Sequence, residues 1–159
     1  MFNLFTTTNK RERGQSLVEI AISFPVLLII ISGLIDLGRV YYVYIGLEDA
    51  AAEGALYLSI DPACMRDTDT RADSSSCADP NNAVWRTINA NPQQIDLTAP
   101  GVTVDAFRPG TDTGEGYGIG DVTRVRITYP FEFITPGIRL ITDEMLINVE
   151  ATNVIIQDR

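Results

Sequence analysis

The sequence predicts an α+β protein, with a long N-terminal helix packed on a small antiparallel β-sheet. The helix divides into a transmembrane half and an amphipathic half. Three observations predict this. An apolar run from Ser16 to Leu37 is long enough to cross a bilayer as a helix. A helical period continues from Asp36 to Ile60. Segments in the last third alternate apolar and polar residues with a period of two. The resulting divisions are a basic leader (1–14), a transmembrane helix (15–38), an amphipathic extension (39–60) and an extracytoplasmic, loop-rich and antiparallel β domain (61–159).

The leader carries Lys10, Arg11 and Arg13, offset by Glu12. The rest of the chain is acidic. With 12 Lys and Arg against 21 Asp and Glu, the net charge is −9. Basic residues on one flank of an apolar helix keep that flank cytoplasmic, which places the acidic remainder beyond the membrane. A secretory signal peptide shares the basic-then-apolar order. Against it, the apolar stretch is long, no Ala-x-Ala-like site closes it, and helical periodicity runs on.

Two residues inside the run conflict with its surroundings. Pro25 removes a helical hydrogen bond, which membrane helices tolerate when neighbours satisfy the freed carbonyl. Glu19 places a carboxylate near the mouth of the segment, where an unpaired charge is costly. From position alone it either snorkels to the headgroups or meets a cation at its own depth.

In the amphipathic half, Val40, Val43, Tyr44, Leu47, Ala51, Ala55 and Leu58 share one face. Gly46, Ala50 and Gly54 form a second stripe of small residues that lets another backbone approach. Either the chain's own domain or a helix of another subunit packs there. Tyr41, Tyr42 and Tyr44 fit an interfacial aromatic belt, and Asp61-Pro62 ends the helix.

Residues 61–100 read as loop, with a short helix from Ala83 to Ala90 around Trp85. Cys64 and Cys77 lie there without His or further Cys, a poor zinc set. Outside the cytoplasm they form a disulfide that contributes about 3 kcal/mol by the chain-entropy model; inside it they are two free thiols. Strands follow at Val102–Phe107, Val122–Tyr129 and Met145–Ile156, with a glycine-rich connector from Gly110 to Gly120, and Pro130 and Pro136 break the chain after the second strand.

Little here points to catalysis. The chain has no histidine, so His-based acid–base, triad and most metal chemistry is excluded. Asp67, Asp69 and Asp73 lack the glycine and late glutamate of a calcium loop. The Gly114–Gly120 glycines match no phosphate-binding pattern and have Asp112 and Glu115 beside them. No basic patch follows the leader, against nucleic-acid binding. The expectation is a non-enzyme with no cofactor and no metal.

The N-terminal motifs point elsewhere. Arg13-Gly14, Gln15, Leu17-Val18-Glu19, Pro25, Asp36-Leu37-Gly38-Arg39 and Ala51-Ala52-Glu53-Gly54-Ala55 together resemble the N-terminus of the TadE-like family, minor pilins or pseudopilins of the Flp/Tad (tight adherence) pilus. The resemblance covers residues 13–58, and RVRITYPFEFITP looks like the family's strand ending in Tyr-Pro-Phe and Thr-Pro. It implies a cut by a membrane prepilin peptidase after Gly14, exposing Gln15 where other type IV pilins commonly carry Phe. Glu19 would then be the fifth mature residue, set to meet the terminal amine of a neighbouring subunit. The implied partners are the membrane, the prepilin peptidase, other Flp/Tad pilins and the Tad membrane platform. The alternative is a permanently anchored extracytoplasmic binding domain that is neither processed nor polymerised.

Overall fold

The computed structural model describes residues 10–90, 95–110, 116–139 and 142–157. Helix α1 runs unbroken through Lys10–Ile60, 51 residues, which at 1.5 Å per residue is about 75 Å. Its two halves share one geometry and differ in surroundings. From Leu17 to Ile35 the large apolar side chains stand exposed. A helix that is apolar all round and uncovered by protein needs non-aqueous surroundings. Among the described residues it is the one helix long and apolar enough to cross a membrane. Pro25 lies inside this half without ending the helix.

From Asp36 onward one face of α1 is covered. Leu47, Ala50, Ala51, Ala55 and Leu58 are buried there, with Val40 and Val43 half-buried at its lower end. Tyr44, placed on this face by its spacing, is exposed together with Tyr41 and Tyr42. At that level the core reaches Val40 and Val43 and goes no further around the helix.

The covering layer is a three-stranded antiparallel sheet in the order β1 (Thr103–Phe107), β2 (Val122–Glu132), β3 (Glu144–Val154). Alternation sets its faces. Val125 and Ile127 of β2 and Ile147 and Val149 of β3 are buried against α1, while Arg124, Arg126 and Glu150 point outward. Arg126 and Glu150, cross-strand partners, form a 2.7 Å ion pair on that outer face. The sheet lies along the helix. Ile156 N–H donates to the Ser59 carbonyl at 2.8 Å at one end, and residues 134–135 meet Asp36 at the other. Asp36 to Ser59 is about 35 Å of helix, and an 11-residue strand is about 36 Å long.

Pro130 does not end the second strand. β2 continues to Glu132, with Pro130 opposite Leu146. β1 begins at Thr103, opposite Thr128, so at Pro130 no ladder partner remains on that side, the place where a sheet tolerates proline. Pro136 instead starts the short helix α3 (Pro136–Arg139).

Helix α2 (Ala83–Ala90) forms as expected. Asn82 caps it, its Oδ1 accepting from Trp85 N–H at 2.7 Å. The described residues of 61–100 contribute no strand to the sheet, yet Ala63, Ile95 and Leu97 enter the core. Gly110 and Gly120 of the connector take positive φ. The part of the connector that holds Asp112, Gly114 and Glu115, and leader residues 1–9, lie outside the described residues.

Candidate functional site

The candidate processing segment sits at the head of α1. Gly14, Gln15 and Glu19 are helical and exposed. Lys10, Arg11 and Arg13 belong to the first turns of the helix, and their side chains lie outside the described ones. A Cβ added at Gly14 would meet nothing within 4 Å. Glycine inside a helix costs roughly 0.5–1 kcal/mol against alanine, and the fold offers no packing reason for it here. Glu19 makes no hydrogen bond or ion pair among the described residues.

The second stripe on α1 is occupied from within the chain. Gly46, Ala50 and Gly54 are buried. A Cβ on Gly54 would collide with the Thr87 hydroxyl and come within 3.3 Å of the Ala83 carbonyl. Helix α2 therefore lies against α1 at the position where a glycine removes the obstacle. Of the two occupants compatible with these small residues, the chain's own domain takes this face.

Cys64 and Cys77 are joined by a disulfide, with Cα atoms 5.3 Å apart, and both are fully buried. The bridged loop is tied to the start of α2. Cys64 and Met65 carbonyls accept from Ala83 and Val84 N–H, and Asn82 Nδ2 donates to the Cys77 carbonyl. Asp61, just past the end of α1, pairs with Arg71 at 2.6 Å. Asp69 accepts from Met65 and Arg66 N–H, and Asp73 from Ser75 N–H, so these carboxylates organise turns within the loop. The hydrogen bonds from Ser75 hold the Asp73 carboxyl below its ordinary range.

The arrangement that sequence reasoning left without a role is a clasp at the boundary between the exposed and covered halves of α1. Asp36 is 1% exposed. Its Oδ2 accepts from Thr135 N–H at 2.8 Å, and its Oδ1 from Ile134 N–H at 3.2 Å and Arg39 Nη1 at 3.0 Å. Arg39 also donates to the Glu132 carbonyl at 3.4 Å and lies over the Phe131 ring, 4.9 Å from its centroid. Phe131 meets Phe133 edge-on. A buried carboxylate is tolerated only when its oxygens are satisfied, and here three donors do so, two from a distant segment and one from the next turn of the same helix. The available signal was Asp followed three residues later by Arg at the end of an apolar run.

Comparison with known proteins agrees on the N-terminal region. Residues 14–56 match the family model described as TadE-like protein. The matched segment holds Gly14, Glu19, Pro25, Asp36, Arg39 and Gly54. No curated protein and no solved structure matches the chain. The match points to a protein associated with the Tad pilus system, and the exposed apolar helix to membrane anchoring.

Proposed function

We propose that this chain, with residues 14–56 matching the TadE-like family, is a minor pilin of a Flp/Tad pilus. A prepilin peptidase cuts after Gly14. The mature protein crosses the cytoplasmic membrane once, its N-terminus cytoplasmic and residues 61–159 outside, before taking part in pilus assembly and adhesion. Other Flp/Tad pilins and the Tad membrane platform are its partners in that assembly.

The observation that carries this reading is Gly14. It is an exposed helical glycine in open space, five residues before a carboxylate without a partner among the described residues. A protease that must approach the backbone closely is a reason for glycine there. The amine freed at Gln15 of a neighbouring subunit is a cation able to offset the cost of Glu19 in lipid. The exposed apolar half of α1 is a surface open to other pilin helices, whereas one face of the amphipathic half is already covered by the chain's own domain. The disulfide agrees with an oxidising compartment.

The test is the intact mass of the membrane-extracted protein from its native host, for the parent, Gly14→Ala and Glu19→Ala. The parent is expected to start at Gln15. Gly14→Ala is expected to keep the full-length precursor, and Glu19→Ala to be cut but to enter pili poorly. A parent that keeps Met1, with pili unchanged in both variants, would leave a permanently anchored binding domain in place of a pilin.

A further inference from the structure

The clasp has a depth as well as a strength. The exposed large apolar side chains run from Leu17 to Ile35, about 28 Å of helix against a hydrocarbon core of about 30 Å. Asp36, the next residue, therefore stands at the boundary where α1 leaves the lipid. Whatever Asp36 holds is held at that boundary. It holds the backbone N–H groups of Ile134 and Thr135.

We propose that this end of the sheet is a membrane foot. Ile134, Met145 and Leu146 enter the interfacial layer of the leaflet from which α1 emerges, and so set the height and tilt of the domain. The proposal rests on the reading of α1 as a membrane anchor. Ile134 is 64% exposed and Leu146 57%, with Met145 also exposed. Leu146 pairs with Pro130 and Met145 with Phe131, so both lie at the same end of the sheet as the clasp. Without lipid these three apolar side chains would face water beside an apolar helix.

Two further features agree with this depth. Tyr41 and Tyr42 are exposed about 8 Å farther along the helix, which is the headgroup level that tyrosines favour. The charged residues near the foot, Arg39, Glu132, Arg139, Asp143 and Glu144, are of both signs. That mixture calls for no anionic lipid, so the expected partner is the apolar–polar boundary of an ordinary zwitterionic bilayer. The opposite end of the sheet also exposes Ile119, Val122, Val154 and Ile156. It lies about 35 Å away along α1, beyond reach of the same bilayer surface if the helix stands upright.

The experiment uses the full chain in phosphatidylcholine vesicles. Trp85, the single tryptophan, is replaced by phenylalanine, and single tryptophans are placed by Ile134→Trp, Leu146→Trp, Ile30→Trp or Ile156→Trp. Quenching by lipids brominated at shallow or deep acyl positions is then read for each. The expected result is blue-shifted emission for the two foot probes, with several-fold stronger quenching by shallow than by deep bromines. Ile30→Trp should be quenched by deep bromines and Ile156→Trp by neither. Foot probes that emit as in water and escape quenching while Ile30→Trp is quenched would overturn the foot and leave the anchor standing. Ile156→Trp quenched as strongly as Ile134→Trp would overturn it too, by showing a domain lying flat. An unquenched Ile30→Trp would remove the anchor and the foot with it. The two foot probes are independent, so failure of one variant to fold leaves the other decisive.

Discussion

Asp36 and Thr135 lie 99 residues apart in sequence and are joined by a 2.8 Å hydrogen bond from the Thr135 N–H to a carboxylate that is almost completely buried. This contact sets the lower edge of the folded domain on α1. Asp36→Ala leaves two N–H groups without their acceptor and takes the shorter of two hydrogen bonds from Arg39, and is expected to cost about 3 kcal/mol. Asp36→Asn keeps one acceptor oxygen and should cost about half as much. Urea unfolding of the detergent-solubilised chain, followed through Trp85, measures both. Equal midpoints for Asp36→Ala and the parent would show that the clasp is energetically idle.

Arg39 contributes less, because its side chain is 40% exposed. Arg39→Ala is expected to cost about 1 kcal/mol. Arg39→Lys keeps the charge but loses the planar stacking over Phe131, so it should fall between parent and alanine in the same unfolding series.

Two helical glycines should respond in opposite directions. Gly54→Ala forces a methyl group onto Thr87, with an expected cost of about 1–3 kcal/mol. Gly14→Ala has open space around it and should leave the fold unchanged or slightly firmer, by about 0.5 kcal/mol. Gly54→Ala combined with Thr87→Ala should cost less than the sum of the single changes. Thermal unfolding of the four variants tests this, and a simple sum would mean that the two helices do not meet at Gly54.

Reduction of the Cys64–Cys77 bridge removes a constraint on the unfolded chain. The expected loss is about 3 kcal/mol, with the same loss in Cys64→Ser/Cys77→Ser. Unfolding midpoints with and without reductant provide the measurement. A double variant insensitive to reductant but as stable as the oxidised parent would show that the bridge adds nothing beyond the packing of α2.

Acid should lower stability through two loop carboxylates. Asp73 and Asp96 are held below their ordinary value of 3.8 by hydrogen bonds from Ser75 and Thr98. A carboxylate depressed by folding contributes its full stability above the unfolded pKa, and that contribution is lost as the pH falls through the folded one. Stability should therefore decline below about pH 4, and the decline should be shallower in Asp73→Asn/Asp96→Asn. Urea midpoints between about pH 6 and about pH 3 test the slope.

The fold class was legible because it rests on periods. Apolar residues in every register from Ile20 to Ile35 leave a helix no polar face to turn to water, so membrane surroundings follow from composition. Alternation in 122–129 and 145–156 sorts the two faces of a strand without reference to its neighbours. Motifs were legible too: Gly14 and Glu19 stand out against the local chemistry, and the matched family segment begins at Gly14. Pro130 was misread because propensity cannot tell whether a strand has a neighbour on both sides. Only the start of β1 at Thr103, opposite Thr128, makes proline acceptable there.

Other features depended on contacts between distant residues. Gly46, Ala50 and Gly54 are compatible with any close backbone, and only the docking of α2 decides that the occupant belongs to the same chain. Asp36 in isolation is a charge at the end of an apolar run. Its role appears when β2 carries Thr135 back along about 35 Å of helix to meet it. The sequence by itself determined which half of α1 seeks lipid and which residues alternate in a sheet, because hydrophobicity and period act locally. Tertiary structure decided where the sheet is fastened to that helix, because a buried carboxylate is tolerated only where donors from elsewhere in the chain converge on it.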